Sequence, residues 1–410
     1  MVRNVSKSIS FYEINKNIIP EGSSTLAKSP NRLEKGYSPF YAEEAHGSHF
    51  VDIDGNDWLD CEMAMGTAVW GHNNPRINNA MLKQIQKGVN FSIPSTLEYE
   101  LGCILLNRFP MYKAVKFFKN GGDSVYAAVR SSRFFSKKDK VLSCEYHGWH
   151  DWCSPSYYNC SPSQLGIPNI IDSTHIHCKK DAAEIKKNIL LNFTDLACVV
   201  LCPANYDPVD LKEIIRLCKN YNIYTIFDEV TSGIRYAYGG VSTYYKLTPD
   251  FLCLSKGLTN GLPLAVVLGP KNEILSMSKL KISNAHSSEN LALAAAIECE
   301  HMLHEQRNNW PTWKNDTQAI INQILKFIAN NNINLHVDGS TACFSISTPH
   351  MNFYEDNFRK FLLMYMADLH IFTKGYFIFS TAHTSEEILF VGKSIIDCIK
   401  AVSYTHLRAH

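Results

Sequence analysis

Between residues 114 and 268 the chain alternates short apolar runs with helix-patterned stretches, and this alternation limits the fold more than any other feature. The runs fall at 114–119 (AVKFFK), 140–144, 197–201, 223–227, 250–255 and 264–268. The 223–227 run lacks a polar alternate face, as expected of a parallel strand covered on both sides. Between runs, Leu211, Ile214, Ile215 and Cys218 recur at i, i+3, i+4 and i+7, with Lys212, Glu213, Arg216 and Lys219 interleaved. That is an amphipathic helix. Residues 124–135 read the same way, with Val125, Ala128 and Val129 on one face and Arg130 and Arg133 off it. Strands separated by helices predict an α/β fold with a large, doubly wound, mainly parallel sheet over about 115–270.

The flanks follow a different pattern. Residues 50–59 (FVDIDGNDWL) read as a hairpin turning at Asp54-Gly55. Residues 75–87, 313–328 and 385–402 read as helices, and short strands are expected near 333–347 and 371–379. The expectation is a smaller α+β domain built from both chain ends. Residues 1–60 and 303–402 would form it around a large domain at 61–302, with the tail 403–410 unassigned.

Composition excludes several partner classes. Of 410 residues, 45% are hydrophobic and 19% charged, enough for a large buried core. Lys plus Arg is 40 against 39 Asp plus Glu, so no net field favours nucleic acid or an anionic membrane. No run approaches the length of a membrane span, and the opening MVRNVSKSISFYEINKN lacks a signal-peptide core. Thirteen scattered cysteines without a CxxC pair suit reduced thiols in a cytoplasmic protein. No metal set is expected: His46, His49 and His72 share no ligand spacing, and His175 and His177 point away from Cys178 on a strand.

Three features sit where strands end, at the edge where an open parallel sheet forms its ligand crevice. Asn120-Gly121-Gly122-Asp123 joins a strand to a helix, and its glycines and free helix-start N–H groups suit a phosphate. Asp228, in Phe227-Asp228-Glu229-Val230, ends a buried strand and needs a positive partner. Lys256, in Ser255-Lys256-Gly257, ends the next strand, where a partly desolvated amine is a nucleophile. Each is ordinary alone. In this order they are the phosphate cup, pyridinium partner and Schiff-base amine that pyridoxal phosphate requires, and Tyr146, in 146–151 (YHGWHD), offers a ring to stack on it.

These residues carry a family resemblance. The chain resembles the class III (fold type I) pyridoxal-phosphate aminotransferases, in the glutamate-1-semialdehyde 2,1-aminomutase-like branch. The motifs are DIDGNDWLD (52–60), GHNNP (71–75), FSIPSTLEYELG (91–102), KNGGDSVYAAVR (119–130), YHGWHDW (146–152), FDEVTSGIR (227–235), PDFLCLSKGLTNGLP (249–263) and STAHT (380–384). The resemblance implies Lys256 as the aldimine lysine and Asp228 as the pyridinium partner, with Val230 on the ring face opposite Tyr146. It implies phosphate contacts at Gly122 and Asp123 with Gly121 beside them, and places His147 and Glu229 around the site. It also implies a homodimer acting on small-molecule amino donors and acceptors, with Ser287, Ser288 and Glu289 in a loop reaching the partner subunit's cofactor. The implied activity is amino-group transfer or 2,1-aminomutation through a quinonoid. Alternatives are a racemase, epimerase or decarboxylase of the same fold, or a cofactor-binding relative with reduced catalysis.

The sequence departs from that pattern at several points. Ala285 stands where a threonine is usual, and Cys202-Pro203 replaces a Glu-Pro. The N-terminal stretch SSTLAKSPNRL offers Lys28 and Arg32 as replacements for the aminomutase's carboxylate-gripping arginine.

Overall fold

The expected hairpin is present in a computed structural model, which describes residues 4–154, 158, 160–349 and 356–403. Strands β1 (Ala42–His46), β2 (His49–Asp52) and β3 (Asp57–Asp60) pair antiparallel in order. The turn follows from Asp52, whose Oδ1 accepts the N–H groups of Asp54 (3.0 Å) and Asn56 (2.9 Å). Gly55 supplies the left-handed residue at φ 87°.

Residues 76–310 form one of two compact units. Its sheet contains β4 (Ala114–Phe118), β5 (Lys140–Ser143), β6 (His175–His177), β7 (Leu196–Leu201), β8 (Tyr224–Asp228), β9 (Phe251–Leu254) and β10 (Ala265–Gly269). Their spatial order is β4-β10-β9-β8-β7-β5-β6. Every residue of β7, β9 and β10 is buried, as a sheet covered by helices on both faces demands. Burying each large aliphatic side chain contributes roughly 1.5–3 kcal/mol. The sheet is mainly parallel, with one reversal: β10 runs antiparallel to both neighbours. Only the loop 255–264 joins β9 to β10, too short for a crossover, and Ser255 Oγ closes it by donating to the Leu264 carbonyl at 2.8 Å. Strands β4, β5, β7, β8 and β9 therefore point their carboxyl ends to one edge.

The other unit comprises residues 1–75 and 311–410. Besides β1–β3 it holds β11 (His336–Ser340), β12 (Cys343–Ser347), β13 (Ile371–Phe372) and β14 (Tyr376–Phe377). β13 pairs parallel with β3, so both chain ends share a sheet, while β11, β12 and β14 form a second. The helices Lys314–Asn330 and Ser385–Ser403 match the expected amphipathic segments. The two units divide further along the chain than the expected 60/61 and 302/303 boundaries. Residues 404–410 of the unassigned tail lie outside the described residues.

Candidate active site

The carboxyl edge of the seven-stranded sheet gathers the residues singled out above. Asn120 follows β4 and is the N-cap of the Gly121–Ser136 helix, but its side chain does not cap. Its Nδ2 instead donates to Asp123 Oδ2 at 3.2 Å, and His150 Nε2 meets Asp123 Oδ1 at 3.2 Å. The first helical N–H groups are thus left open to an anion. The glycines are required by crowding. A Cβ on Gly121 would stand 2.6 Å from Val230 Cγ2, and one on Gly122 would stand 3.1 Å from His150 Cε1. A Cβ on Gly148, at φ 113°, would stand 3.0 Å from the Cα of Gly122.

Asp228 closes β8 and is 8% exposed. His147 Nδ1 lies 2.7 Å from its Oδ2, and the Val230 N–H donates to its Oδ1 at 3.1 Å. The His147 ring is in turn stacked on Trp152, with centroids 6.0 Å apart. Tyr146 is 47% exposed. Glu229 turns away: its carboxylate accepts the N–H groups of Val241 (2.7 Å) and Ser242 (2.8 Å). Burial pushes that carboxyl above its ordinary range, and those two N–H groups oppose the rise.

Lys256 follows β9 at φ 47°, a left-handed conformation uncommon for a lysine and of the kind that concentrates at functional sites. Its Nζ donates to Thr231 Oγ1 at 2.8 Å. An amine from one strand end is thereby held three residues beyond the carboxylate of the neighbouring strand.

Other candidates fall elsewhere. Glu289 caps the Asn290–Glu305 helix and pairs with Lys119 Nζ at 3.0 Å, while Ser287 donates to Asn284 Oδ1 at 2.9 Å. Burial pushes the Glu98 carboxyl up, and the Ser288 side chain opposes that rise. His49 is used by Asp57 and Glu387, and His72 by Asp60. His175 Nε2 meets Ser143 Oγ at 2.8 Å, and burial pushes its imidazole down to about 3. In the other unit, Lys28 lines a cavity of about 240 Å³ with Asp60, Glu62, His72 and Lys374. Burial pushes the Glu62 carboxyl up to about 7 there. The Arg32 carbonyl accepts from Arg359 Nη2 at 2.8 Å.

Sequence reasoning missed His150 and Thr231, although both lie inside quoted motifs. It also missed Glu145 and Cys202 as neighbours of His147. Adjacency of β5 and β7 brings these together, and only the strand register reveals it.

A buried strand-end carboxylate, an open helix start and a strand-end lysine define an enzyme of the pyridoxal-phosphate type. The class-III aminotransferase profile matches residues 33–160 and 205–358. Glutamate-1-semialdehyde 2,1-aminomutase of Methanococcoides burtonii is 30% identical over 83% of this chain and 84% of its own. That of Methanosarcina acetivorans is 34% identical over 67% of this chain and 66% of its own. Among solved structures, an omega-transaminase from Sphaerobacter thermophilus superposes with TM-score 0.84 at 20% identity, covering 96% of this chain and 97% of that one. A glutamate-1-semialdehyde aminomutase from Pseudomonas aeruginosa gives 0.81 at 18%, covering 96% and 94%. The chain belongs to the class-III aminotransferase family. It is a pyridoxal-phosphate-dependent enzyme of amino-group transfer, and the glycine cup, whose space a Cβ would fill, fits the cofactor's phosphate.

Proposed function

We propose that Lys256 and Asp228 are the catalytic residues and that Gly121, Gly122, Asp123, Tyr146, His147 and Val230 hold the cofactor around them, with Glu229, expected beside them, supporting the loop instead of touching the cofactor. The observation that carries this reading is the convergence of Lys256 Nζ on Thr231, three residues after Asp228, from adjacent strands. Bound pyridoxal phosphate supplies an electron sink for a bond broken at the substrate carbon beside the amine. The N–H groups at the start of the Gly121–Ser136 helix bind its phosphate. Asp228, oriented by His147 and the Val230 N–H, keeps a negative charge for the ring nitrogen. Lys256 would hold the cofactor through its amine, and that amine, when free, would carry a proton between the two carbons. Glu229 works at one remove, anchoring the 241–242 backbone so that the loop after Asp228 keeps its course.

Within amino-group transfer, the curated relatives favour a 2,1-aminomutase, with transamination between separate donor and acceptor as the second reading. Both use the same proton movements; they differ in whether the keto product leaves. We further infer a homodimer in the cytoplasm. The thirteen free cysteines suit a reducing compartment. No helix among the described residues is long and apolar enough to cross a membrane.

The test is borohydride reduction of the purified, cofactor-loaded protein followed by peptide mapping, then addition of amino compounds. The pyridoxyl group is expected on Lys256, and label elsewhere with Lys256 unmodified would overturn the assignment. A substrate consumed without a second carbonyl compound indicates aminomutation. Accumulation of the pyridoxamine form, reversed by a keto acid, indicates transamination.

A further inference from the structure

Three donor atoms meet on the far side of His147 from Asp228, and amino-group transfer leaves all three unused. His147 Nε2, a carboxylate oxygen of Glu145 and Cys202 Sγ lie within 4.8 Å of one another. Glu145 lies two residues before His147 on the segment after β5, and Cys202 follows β7, the strand paired with β5. The sheet register thus sets the spacing. His147 is 2% exposed, and its Nε2 has no hydrogen-bond partner among the described residues. Glu145 Oε2 faces it at 3.9 Å and is equally unpartnered, on a side chain 9% exposed.

The hydrogen bond to Asp228 decides what Nε2 presents. With Nδ1 donating to that carboxylate, neutral His147 turns a lone pair toward Glu145. An ionised Glu145 also offers only lone pairs. Two buried acceptors facing each other are costly, and the Tyr206 hydroxyl, which acts on the Glu145 carboxyl, makes no hydrogen bond among the described residues. A positive centre between them removes both penalties. A proton would serve two of the atoms, whereas a thiol as third donor matches a metal ion.

We propose that Glu145, His147 and Cys202 bind one divalent cation of the zinc class. A mixed N, O and S donor set selects borderline-soft ions over magnesium or calcium. Zinc bonds of about 2.0–2.3 Å place tetrahedral donors roughly 3.3–3.8 Å apart, so the 3.9 Å between Nε2 and Oε2 needs little adjustment. Asp228 on Nδ1 completes the carboxylate–histidine–metal arrangement that orients metal-bound imidazoles, and Asn205 Nδ2 lies 3.4 Å from Glu145 Oε1. Three protein ligands leave a fourth position for water or a small ligand. Because one imidazole serves both the ion and Asp228, loading the site alters the charge environment of the cofactor ring, a consequence that rests on the reading given above.

The test uses the cofactor-loaded full chain, freed of metal by chelator and titrated with Co²⁺ and then Zn²⁺. One Co²⁺ per chain is expected, with tetrahedral d–d bands at wavelengths beyond the cofactor's absorption, displaced by Zn²⁺. Cys202→Ala and Glu145→Gln should each weaken binding by at least about tenfold while retaining the wild-type cofactor content, which reports folding. Absence of stoichiometric binding in the wild type would overturn the site and leave a proton as the bridging charge. Equal affinity in Cys202→Ala would overturn it too, by placing the ion elsewhere. Metal content depends on Asp228 only as the group that orients His147 and not on its catalytic role, so failure here is distinct from failure of the catalytic assignment. A shift of the cofactor band on Zn²⁺ loading, lost in Cys202→Ala, is expected as the sign of coupling through His147.

Discussion

Asp228 and Glu229 are consecutive buried acids with opposite employment. Asp228 has one oxygen on His147 and the other on the Val230 N–H, in a position to keep its charge beside the strand end. Glu229 gives both oxygens to backbone N–H groups and acts as a clamp. Replacing Asp228 with Ala leaves the glycine cup and Lys256 intact, so cofactor should still bind. Turnover should fall by on the order of 10²–10⁴, the scale of losing one preorganised electrostatic partner in a dry site. Steady-state kcat and the cofactor absorbance of the same sample check this, and near-wild-type turnover would show that another anion faces the ring. At this scale Asp228 and Lys256 were legible because each ends an apolar run that can only be a buried strand. The His150 contact to Asp123 was not, since it depends on the path of the 146–152 segment, which no periodicity describes.

At the scale of elements, the Gly121–Ser136 helix start sets two effects against each other. Replacing a helical glycine with alanine ordinarily favours the helix by about 0.5–1 kcal/mol. At Gly121 the new methyl would lie 2.6 and 2.7 Å from the two methyls of Val230, a stiff β-branched residue. Overpacking of that kind costs about 1–3 kcal/mol, so the clash wins. Gly121→Ala is therefore expected to weaken cofactor binding by about fivefold or more in a titration. Gly102→Ala, whose Cβ would meet only Val115 Cγ1 at 3.4 Å, should leave it unchanged. Adding Val230→Ala to Gly121→Ala should recover part of the affinity, and no recovery would reject the steric explanation. Strand and helix identity was readable from apolar spacing, whereas the reversal of β10 was not, because a run of buried residues carries no direction. The Thr96–Arg108 helix also escaped the reading. Its buried face is Leu101, Gly102, Leu105 and Arg108, so a glycine and an arginine interrupt the apolar stripe. Arg108 is admitted to that face only because Glu300 pairs with it at 2.5 Å.

For the whole molecule, the decisive question is whether one chain is a complete enzyme. Val89, Phe91, Ile93 and Tyr99 are exposed apolar residues in a single stretch of the 76–310 unit. That stretch lies beside the 283–289 loop: the Asn290 N–H donates to the Val89 carbonyl at 2.8 Å, and Asn90 Nδ2 donates to the Ala285 carbonyl at 3.5 Å. This exposed apolar stretch is the proposed dimer interface, and the resemblance implies that the same loop reaches the partner subunit's cofactor. We therefore expect light scattering to report twice the 46.4 kDa chain mass. Ile93→Glu with Tyr99→Lys should return it to one chain and weaken cofactor binding together with it. Ala285 refines the expectation. The threonine usual there is missing, and the nearby Ser287 hydroxyl is already spent on Asn284. The partner's cofactor phosphate should thus have one donor fewer, a loss of roughly 0.5–1.5 kcal/mol. Ala285→Thr should tighten cofactor binding about threefold to tenfold in the dimer and have no effect in the Ile93→Glu, Tyr99→Lys variant. Tightening in both would mean that the loop serves its own chain's site; tightening in neither would mean that the phosphate lacks no donor.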